Sequence, residues 1–161
     1  MESYIVINGK RAELTEEQLK ALGIATEKKS VFSRREEDEE YFYIDCYGNA
    51  APEYETCHDI DSRLFAAANY CTDKNLLQQR AWLETLNRLL WRYSMEHKGK
   101  RIDDKVWSIS YHRDTNTFHA GWINYQVTYV GETTFDTEEI AENAIKEIVE
   151  PFMQTHPDFK P

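Results

Sequence analysis

The chain has 161 residues, of which 41% are hydrophobic, 13% aromatic and 30% charged, and its formal net charge is −10. This size and composition predict one folded domain, or two small units that share a core, and the lack of a long apolar run argues against a membrane-spanning segment. The negative charge argues against a general affinity for nucleic acid or for anionic membranes.

The first 24 residues predict a β-hairpin followed by a short helix. Residues 4–14 favour two short strands, and Asn8-Gly9 between them is a strong signal for a two-residue turn. Thr15 and Gln18 have the spacing of a capping box, in which each side chain accepts a hydrogen bond from the backbone N–H of the other residue. Gly23 is placed to end the helix that this box starts.

The middle of the chain predicts an aromatic strand and a long helix. Residues 41–47 are rich in aromatic side chains, and Pro52 makes the following segment an edge strand or a loop. Thr72 is predicted to cap a helix over residues 73–97, which at ~1.5 Å per residue spans ~36 Å. The buried stripe of this helix is predicted to contain Leu76, Leu83, Leu86, Leu90 and Tyr93, broadened by Trp82 and Leu89.

The last third predicts further strands and a second helix. Residues 106–112 and 117–129 favour strands on either side of a polar turn. Asp136 and Glu139 have the spacing of a helix cap, and Pro151 predicts a kink or an early end of that helix. The apolar face of the helix is predicted to contain Ile140, Ala141, Ala144, Ile145, Ile148, Val149, Phe152 and Met153.

The entries to the two helices resemble each other. In both, an aromatic residue lies two positions before a threonine cap, as Tyr70 before Thr72 and as Phe135 before Thr137. The predicted fold is therefore α+β, with two antiparallel β-meander-plus-helix units that share a core and a small N-terminal β-hairpin-helix. The predicted boundaries are 1–24 for the hairpin-helix and 25–161 for a single α+β domain, whose halves are 31–98 and 106–156.

The net charge comes from one stretch of the chain. The 27-residue window 36–62 holds ten carboxylates and no Lys or Arg, whereas the other 134 residues hold nineteen acids and nineteen bases. Tyr41, Tyr43 and Tyr47 lie in the same window, which predicts an ordered acidic face that attracts a basic partner. The alternative that these charges only keep an edge strand soluble stays open. The carboxylates are Glu36, Glu37, Asp38, Glu39, Glu40, Asp45, Glu53, Glu55, Asp59 and Asp61.

Two segments carry a family resemblance. The first consists of residues 7–10 (INGK), 13–20 (ELTEEQLK) and 22–24 (LGI), and the second is residues 135–142 (FDTEEIAE) after an aromatic, strand-rich stretch. They resemble the beginnings and endings of small accessory proteins that phages and prophages of Gram-positive bacteria encode. The resemblance implies a counter-defence role, since that class includes anti-CRISPR proteins, which are often small, acidic and non-enzymatic.

Cysteine usage favours a reducing compartment. Cys46, Cys57 and Cys71 are odd in number and lie 11 and 14 residues apart, so free thiols are expected. The first seven residues lack the basic start and the long apolar stretch of a secretory signal. Together with the resemblance, these features predict the cytoplasm of a bacterial host cell.

Candidate catalytic and metal-binding residues are few. The cysteines and His58 form no close pair at the spacing of a zinc site. Two small groups keep a metal-dependent hydrolase open as an alternative, because one could act as acid and base and the other could chelate a divalent cation. The first group is His112, Asp114 and His119, and the second is His58, Asp59 and Asp61.

A further alternative is a nucleic-acid-binding accessory protein. Residues 97–101 form a basic knot, which nearby arginines could extend into a patch. Basic residues also follow helices commonly, because they favour the negative end of the helix dipole. Trp91 is the tryptophan expected to be most exposed and is a candidate contact. The basic residues concerned are Lys98, Lys100 and Arg101, with Arg88, Arg92 and Arg113.

The sequence thus favours a non-enzymatic binding protein without a cofactor or metal. The expected partner is a basic host protein or nucleoprotein, such as a CRISPR effector nuclease, whose cationic surface the acidic window would occupy. Glu36, Glu37, Asp38, Glu39 and Glu40 are predicted to supply charge, and Tyr41, Tyr43 and Tyr47 to supply aromatic contacts. No membrane partner is expected, and a homodimer stays open.

Overall fold

The structure, a computed structural model, describes residues 4–7, 10–22, 29–101, 105–124 and 132–161. The chain divides into two compact units, 1–33 and 34–161. The described residues form helices and three two-stranded antiparallel sheets, which confirms the predicted α+β class. Among these residues, no helix is long and apolar enough to cross a bilayer.

The first unit is a hairpin followed by a short helix. Strands β1 (Tyr4–Ile7) and β2 (Lys10–Glu13) pair antiparallel, and α1 covers Glu16–Ala21. The predicted capping box is present, because the Gln18 N–H donates to Thr15 Oγ1 (3.3 Å) and the Thr15 N–H donates to Gln18 Oε1 (2.9 Å). The predicted turn at Asn8-Gly9 and the helix end at Gly23 lie outside the described residues.

The second unit begins with a hairpin and a short helix. Strands β3 (Glu40–Ile44) and β4 (Ala50–Tyr54) pair antiparallel, and α2 covers Asp59–Ala66. Pro52 lies opposite Phe42 in β4, which is an edge strand as predicted.

The first strand is shorter than predicted because a turn interrupts it. The Asp45 carboxylate accepts hydrogen bonds from the Tyr47 and Asn49 N–H groups, both at 2.9 Å, and so closes a turn directly after β3. Gly48 in this turn has a φ of 82°, and a Cβ there would lie 2.7 Å from Thr85 Oγ1. The hairpin tip therefore lies against the long helix and requires glycine.

The long helix α3 (Lys74–Glu96) begins and ends within a residue of the prediction. Its N-cap is Asp73 rather than Thr72, because the Asp73 carboxylate accepts the Leu76 N–H at 3.0 Å. Its N-terminal turns bury Leu77 against β3 and β4, and its C-terminal turns pack in the core of the second half. Because the two contacts use different sides of the helix, Leu76 and Leu83 are exposed, and their predicted burial was wrong.

The second half repeats the order of hairpin and helix. Strands β5 (Lys105–His112) and β6 (Thr117–Asn124) pair antiparallel along eight residue pairs. The predicted continuation of this strand region to residue 129 lies outside the described residues. The last helical segment consists of α4 (Glu138–Ala144), a π-helical turn (Ile145–Val149) and α5 (Glu150–Thr155).

The start of the last helical segment decides between two predicted caps, and its proline does not end it. Thr137 is the N-cap, as the comparison of the helix entries predicts, and Asp136 is not, because the Thr137 hydroxyl accepts the Ile140 N–H at 3.3 Å. The predicted early end at Pro151 was wrong, since the helix continues to Thr155, and the alternative of a kink there stays a prediction. Proline lacks an N–H and clashes with the carbonyl four residues earlier in a regular helix, and here a wider π turn precedes it. All eight residues of the predicted apolar face lie in or against the core.

Each half attaches a third segment to its first strand by a single β-bridge. The bridge in the first half joins Phe42 to Cys71, with N–H···O distances of 2.7 and 2.9 Å. The bridge in the second half joins Trp107 to Phe135, with both distances at 2.8 Å. Whether each half is a full meander, as predicted, stays a prediction, since the described residues show two strands and one bridge.

The bridges give the correct alignment of the two helix entries. Cys71 and Phe135 both lie two residues before the N-cap of the following helix. Cys71 is therefore the equivalent of Phe135, one position from the pairing of Tyr70 with Phe135 that the sequence suggested. The one-residue difference arises because Thr72 and Asp73 are both residue types that cap helices.

Helices α3 and α5 end in the same way. His97 and His156 are the C-cap residues, and their rings stack on Tyr93 and Phe152, with centroids 3.9 and 4.2 Å apart. Nδ1 of each histidine lies 3.0 or 2.9 Å from the carbonyl oxygen of that aromatic residue. Each ring thus covers the helix end and engages a carbonyl there.

Candidate interaction surface

The five consecutive acidic residues form a tight turn, which we call the acidic loop (residues 36–40). All five residues are exposed. The Glu39 N–H donates to the Glu36 carbonyl oxygen at 3.1 Å, and the Glu36 N–H donates to the Glu39 carboxylate at 3.0 Å. Asp38 has a φ of 66°, a left-handed conformation that aspartate tolerates better than most residues.

The backbone of the acidic loop continues the β3–β4 ladder. The Asp38 N–H donates to the Glu55 carbonyl oxygen at 2.8 Å, and the Glu55 N–H donates to the Glu39 carbonyl oxygen at 3.0 Å. The loop is therefore fixed on both strands of the hairpin rather than projecting freely from it.

The side chain of Glu55 is the buried anchor below this loop. It has no exposed surface, and its carboxylate accepts two hydrogen bonds from Arg34 (3.1 and 2.9 Å) and one from the Tyr70 hydroxyl (2.9 Å). The Cys57 N–H donates a fourth, at 2.9 Å. The hydrogen bonds from Arg34 are the main reason that the pKa of Glu55 lies below its ordinary value, so this carboxylate is ionised although buried.

Tyr70 connects this anchor to the start of the loop. Its hydroxyl accepts the Arg35 N–H at 3.0 Å while it donates to Glu55. Burial, followed by the hydrogen bond to Glu55, raises the pKa of Tyr70 to about 12, so its proton stays in place. The ring stacks on Tyr41 with centroids 4.0 Å apart.

A second buried carboxylate, Asp61, lies on the other side of Tyr41. It accepts the Tyr41 hydroxyl at 2.7 Å, the Thr56 hydroxyl at 2.6 Å, and the N–H groups of Thr56 and His58 at 3.0 and 3.2 Å. These hydrogen bonds, that of the Thr56 hydroxyl above all, lower the pKa of Asp61 to about 2. The two buried carboxylates belong to the interior and not to the acidic face.

The structure changes the predicted set of aromatic contacts. Tyr41 is fully buried and cannot present its ring to a partner. Tyr43 is half-buried, and Tyr47, although 84% exposed, lies at the hairpin tip, a strand length of ~16 Å from the acidic loop. Tyr54, which the sequence did not select, is 56% exposed and lies opposite Glu40 in the register. It is an exposed aromatic residue beside the acidic loop.

The other acidic residues of the window have local roles or lie apart. Asp45 closes the hairpin turn, as described above, and Asp59 pairs with Arg63 at 3.2 Å on the surface of α2. Glu53 is exposed on β4, two residues before Glu55. The exposed acidic face thus consists mainly of the acidic loop and Glu53.

The structure sets Arg113 apart from the other residues of the predicted basic patch. Arg101 pairs with Asp136 at 2.5 Å, and the same carboxylate accepts the Gly99 N–H at 3.2 Å. Residues 99–101 are therefore bound to the start of α4. Lys98 and Lys100 are exposed. Arg113 follows the far end of β5, ~26 Å along that strand.

The candidate catalytic and metal-binding residues come together only in part. The rings of His112 and His119 lie 5.1 Å apart on an exposed hairpin end, and His119 Nε2 lies 2.7 Å from Thr117 Oγ1. All three cysteines are in the described part of the chain and are free. Within that part, no group of three or more His, Cys, Asp or Glu side chains is placed to hold a metal ion.

The anchor residues Arg34, Glu55 and Tyr70 were missed by the sequence reasoning. Arg34 and Tyr70 lie 21 and 15 residues from Glu55, and no local pattern connects them. The sequence predicts Glu55 to be one more exposed charge, because charged residues are rarely buried unless paired.

Compared with protein-family models, with curated proteins and with solved structures, the chain has no significant match.

Proposed function

We propose that the chain is a binding protein that uses the acidic loop to occupy a cationic surface on a nucleic-acid-binding protein. One observation carries the proposal: five exposed, consecutive acidic residues stand on a backbone that the buried Glu55 and Tyr70 hold in place. A loop that is already ordered loses less conformational entropy on binding, so more of the electrostatic attraction contributes to affinity.

The class of partner follows from the density of charge. Successive carboxylates on a fixed turn present closely spaced negative charges, as a phosphate backbone does, and surfaces that bind phosphates carry Lys and Arg. Tyr54 beside the loop adds an aromatic side chain of the kind that is enriched at interface hot spots.

A narrower form of the proposal adds the biological setting. The resemblance of residues 7–24 and 135–142 to phage and prophage accessory proteins supports action in the cytoplasm of a bacterial host. In that setting the partner is a nucleic-acid-targeting defence complex such as a CRISPR effector nuclease, and the chain inhibits it by binding, without catalysis.

Affinity capture with a charge-matched control tests the proposal. The test variant replaces the acidic loop by its amides (Glu36→Gln, Glu37→Gln, Asp38→Asn, Glu39→Gln, Glu40→Gln). The control removes the same five charges from other exposed positions (Glu96→Gln, Glu132→Gln, Glu142→Gln, Glu150→Gln, Asp158→Asn). Each protein is used to capture partners from a nuclease-treated lysate of a CRISPR-bearing Gram-positive strain.

A basic protein retained by the wild type and the control, lost with the loop variant and eluted by moderate salt is the expected result. Equal retention by the loop variant and the control would contradict the proposal. Retention of a basic protein unrelated to CRISPR would support the general form and overturn the narrower one.

A further inference from the structure

Two exposed histidines meet at the end of the β5–β6 hairpin. His112 is the last residue of β5 and His119 the third of β6, and their rings meet edge to face with centroids 5.1 Å apart. We propose that this histidine pair (His112 and His119) binds a late first-row transition-metal ion, with Cu²⁺ bound most tightly. The proposal is independent of the acidic loop, which lies on another hairpin.

The register of the hairpin places both side chains on one face of the sheet. His112 lies opposite Thr117, and His119 lies opposite Ser110. Opposite residues share a face of an antiparallel sheet, as do residues two positions apart on one strand, so His119 is the diagonal neighbour of His112. Aromatic side chains are large enough to meet across this diagonal. The backbone therefore brings the two imidazole rings together.

The separation of the rings suits two ligands of one metal ion. A metal ion lies ~2.0–2.1 Å from a histidine nitrogen, so two rings that share an ion have their centroids about 4.5–6 Å apart. The observed 5.1 Å falls in this range, and the site requires no movement of the strands. Both side chains are exposed, so they can turn onto a shared ion without disturbing the core.

Hydroxyl groups supply oxygen donors beside the pair. His119 Nε2 lies 2.7 Å from Oγ1 of Thr117, the residue directly opposite His112. Thr117 Oγ1 is in turn 2.6 Å from Thr115 Oγ1. Two imidazole nitrogens with hydroxyl or water oxygens make a mixed nitrogen and oxygen ligand set. In the described part of the chain, no third His, Cys, Asp or Glu is placed to join this set.

The ligand types select the class of metal ion. Imidazole nitrogen suits Cu²⁺, Ni²⁺ and Zn²⁺, whereas Mg²⁺ and Ca²⁺ prefer oxygen ligands. Cu²⁺ binds most tightly of the first-row divalent ions and favours a tetragonal nitrogen and oxygen geometry, which water can complete. Arg113 and Asp114, in the adjoining turn, have opposite charges, and the chain has a net charge of −10. The overall charge therefore favours the approach of a cation.

Copper titration of matched histidine variants tests the proposal. All proteins carry Cys46→Ser and Cys57→Ser, which remove the two exposed thiols, and excess Mg²⁺ occupies the acidic face. Isothermal titration with Cu²⁺ is expected to show one site per chain. His112→Asn and His119→Asn should each weaken it at least about tenfold, because one of two nitrogen ligands is lost. His58→Asn, a change at another exposed histidine, should leave the affinity within about twofold.

Pulsed electron paramagnetic resonance of the Cu²⁺ complex identifies the ligands directly. Modulation from two imidazoles is expected for the intact pair, and modulation from one imidazole for His112→Asn or His119→Asn. Ni²⁺ is expected to bind the same site more weakly than Cu²⁺. The absence of a one-to-one Cu²⁺ site, equal weakening by His58→Asn, or a single-imidazole signal from the intact pair would overturn the proposal.

Discussion

The two halves of residues 34–161 share the order of hairpin, bridge and capped helix but differ in their interiors. In the first half the buried side chains include Glu55 and Asp61, held by tyrosine hydroxyls and by Arg34. In the second half the described interior is mainly apolar, with Phe135, Val149, Phe152 and two helix alanines buried. Two halves with the same order of secondary-structure elements can therefore have interiors of different chemistry.

The difference also separates two kinds of stabilisation. An apolar core gains free energy from buried area and packing, and it tolerates changes that keep volume and hydrophobicity. A buried polar network gains little in net free energy, but it costs much when one member is lost, because the others remain buried without hydrogen bonds. The network in the first half holds the acidic loop. Losing one of its members is therefore expected to affect the proposed function as well as the free energy of unfolding.

The largest effect is expected in the apolar half. Phe152→Ala removes a buried ring that packs on Phe159 and His156, and should lower the free energy of unfolding by about 3–5 kcal/mol. Urea unfolding at pH 7 measures this loss, and a loss below about 1 kcal/mol would show that the ring is not part of the core.

The second-largest effect on the free energy of unfolding is expected from a substitution that breaks the polar network at Glu55. Glu55→Leu leaves the Tyr70 hydroxyl and the Arg34 guanidinium without their acceptor, and should lower the free energy of unfolding by about 2–4 kcal/mol at pH 7. Glu53→Leu, two residues earlier and exposed, should change it by less than about 0.5 kcal/mol. Equal effects of the two changes in urea unfolding would show that Glu55 is not an anchor.

Acid titration sharpens the comparison further. The pKa of Asp61 is about 2 in the folded chain against an ordinary value of 3.8, so the folded state binds fewer protons between these values. The stabilisation is complete above about pH 4 and is lost as the pH falls through about 2, for a total of about 2 kcal/mol. Asp61→Asn should remove this part of the pH dependence in unfolding curves, and an unchanged slope would contradict the assignment.

The smallest effect on the free energy of unfolding is expected at the N-caps of the helices. Here the two halves are expected to lose the same amount. Asp73→Ala and Thr137→Ala each remove a side-chain cap and should each lower the free energy of unfolding by about 1 kcal/mol. Asp73→Asn keeps an acceptor and should cost only a few tenths of that. If thermal unfolding shows Asp73→Ala to be neutral, the N-cap of α3 is not Asp73.

Most of the secondary structure could be predicted because local patterns determine it. The capping box at Thr15 and the apolar face between Ile140 and Met153 depend on residues a few positions apart. The stripe on α3 was predicted less well, because the helix packs on two different elements in succession. A periodic pattern identifies a helix but does not show which of its apolar residues a neighbour covers.

The candidate surface could be predicted only in part. The exposure of the acidic loop followed from its charge, since five adjacent carboxylates cannot be buried together. The identity of its anchor did not, because Glu55, Arg34 and Tyr70 meet only through the folded hairpin. The sequence also predicts Tyr41, and not Tyr54, as an aromatic contact beside the loop. The two tyrosines lie on opposite faces of the folded hairpin, and Tyr70 packs on the face of Tyr41.

The histidines that end α3 and α5 have a consequence for spectroscopy. A carbonyl oxygen only accepts hydrogen bonds, so a hydrogen bond from the His97 ring to the Tyr93 carbonyl, 3.0 Å away, requires the proton on Nδ1. His156 Nδ1 lies 2.9 Å from both the Phe152 carbonyl and the Thr155 hydroxyl, so each of its two neutral tautomers has a partner there. Nitrogen-15 shifts of the two rings would therefore show whether the two helix ends use the same tautomer.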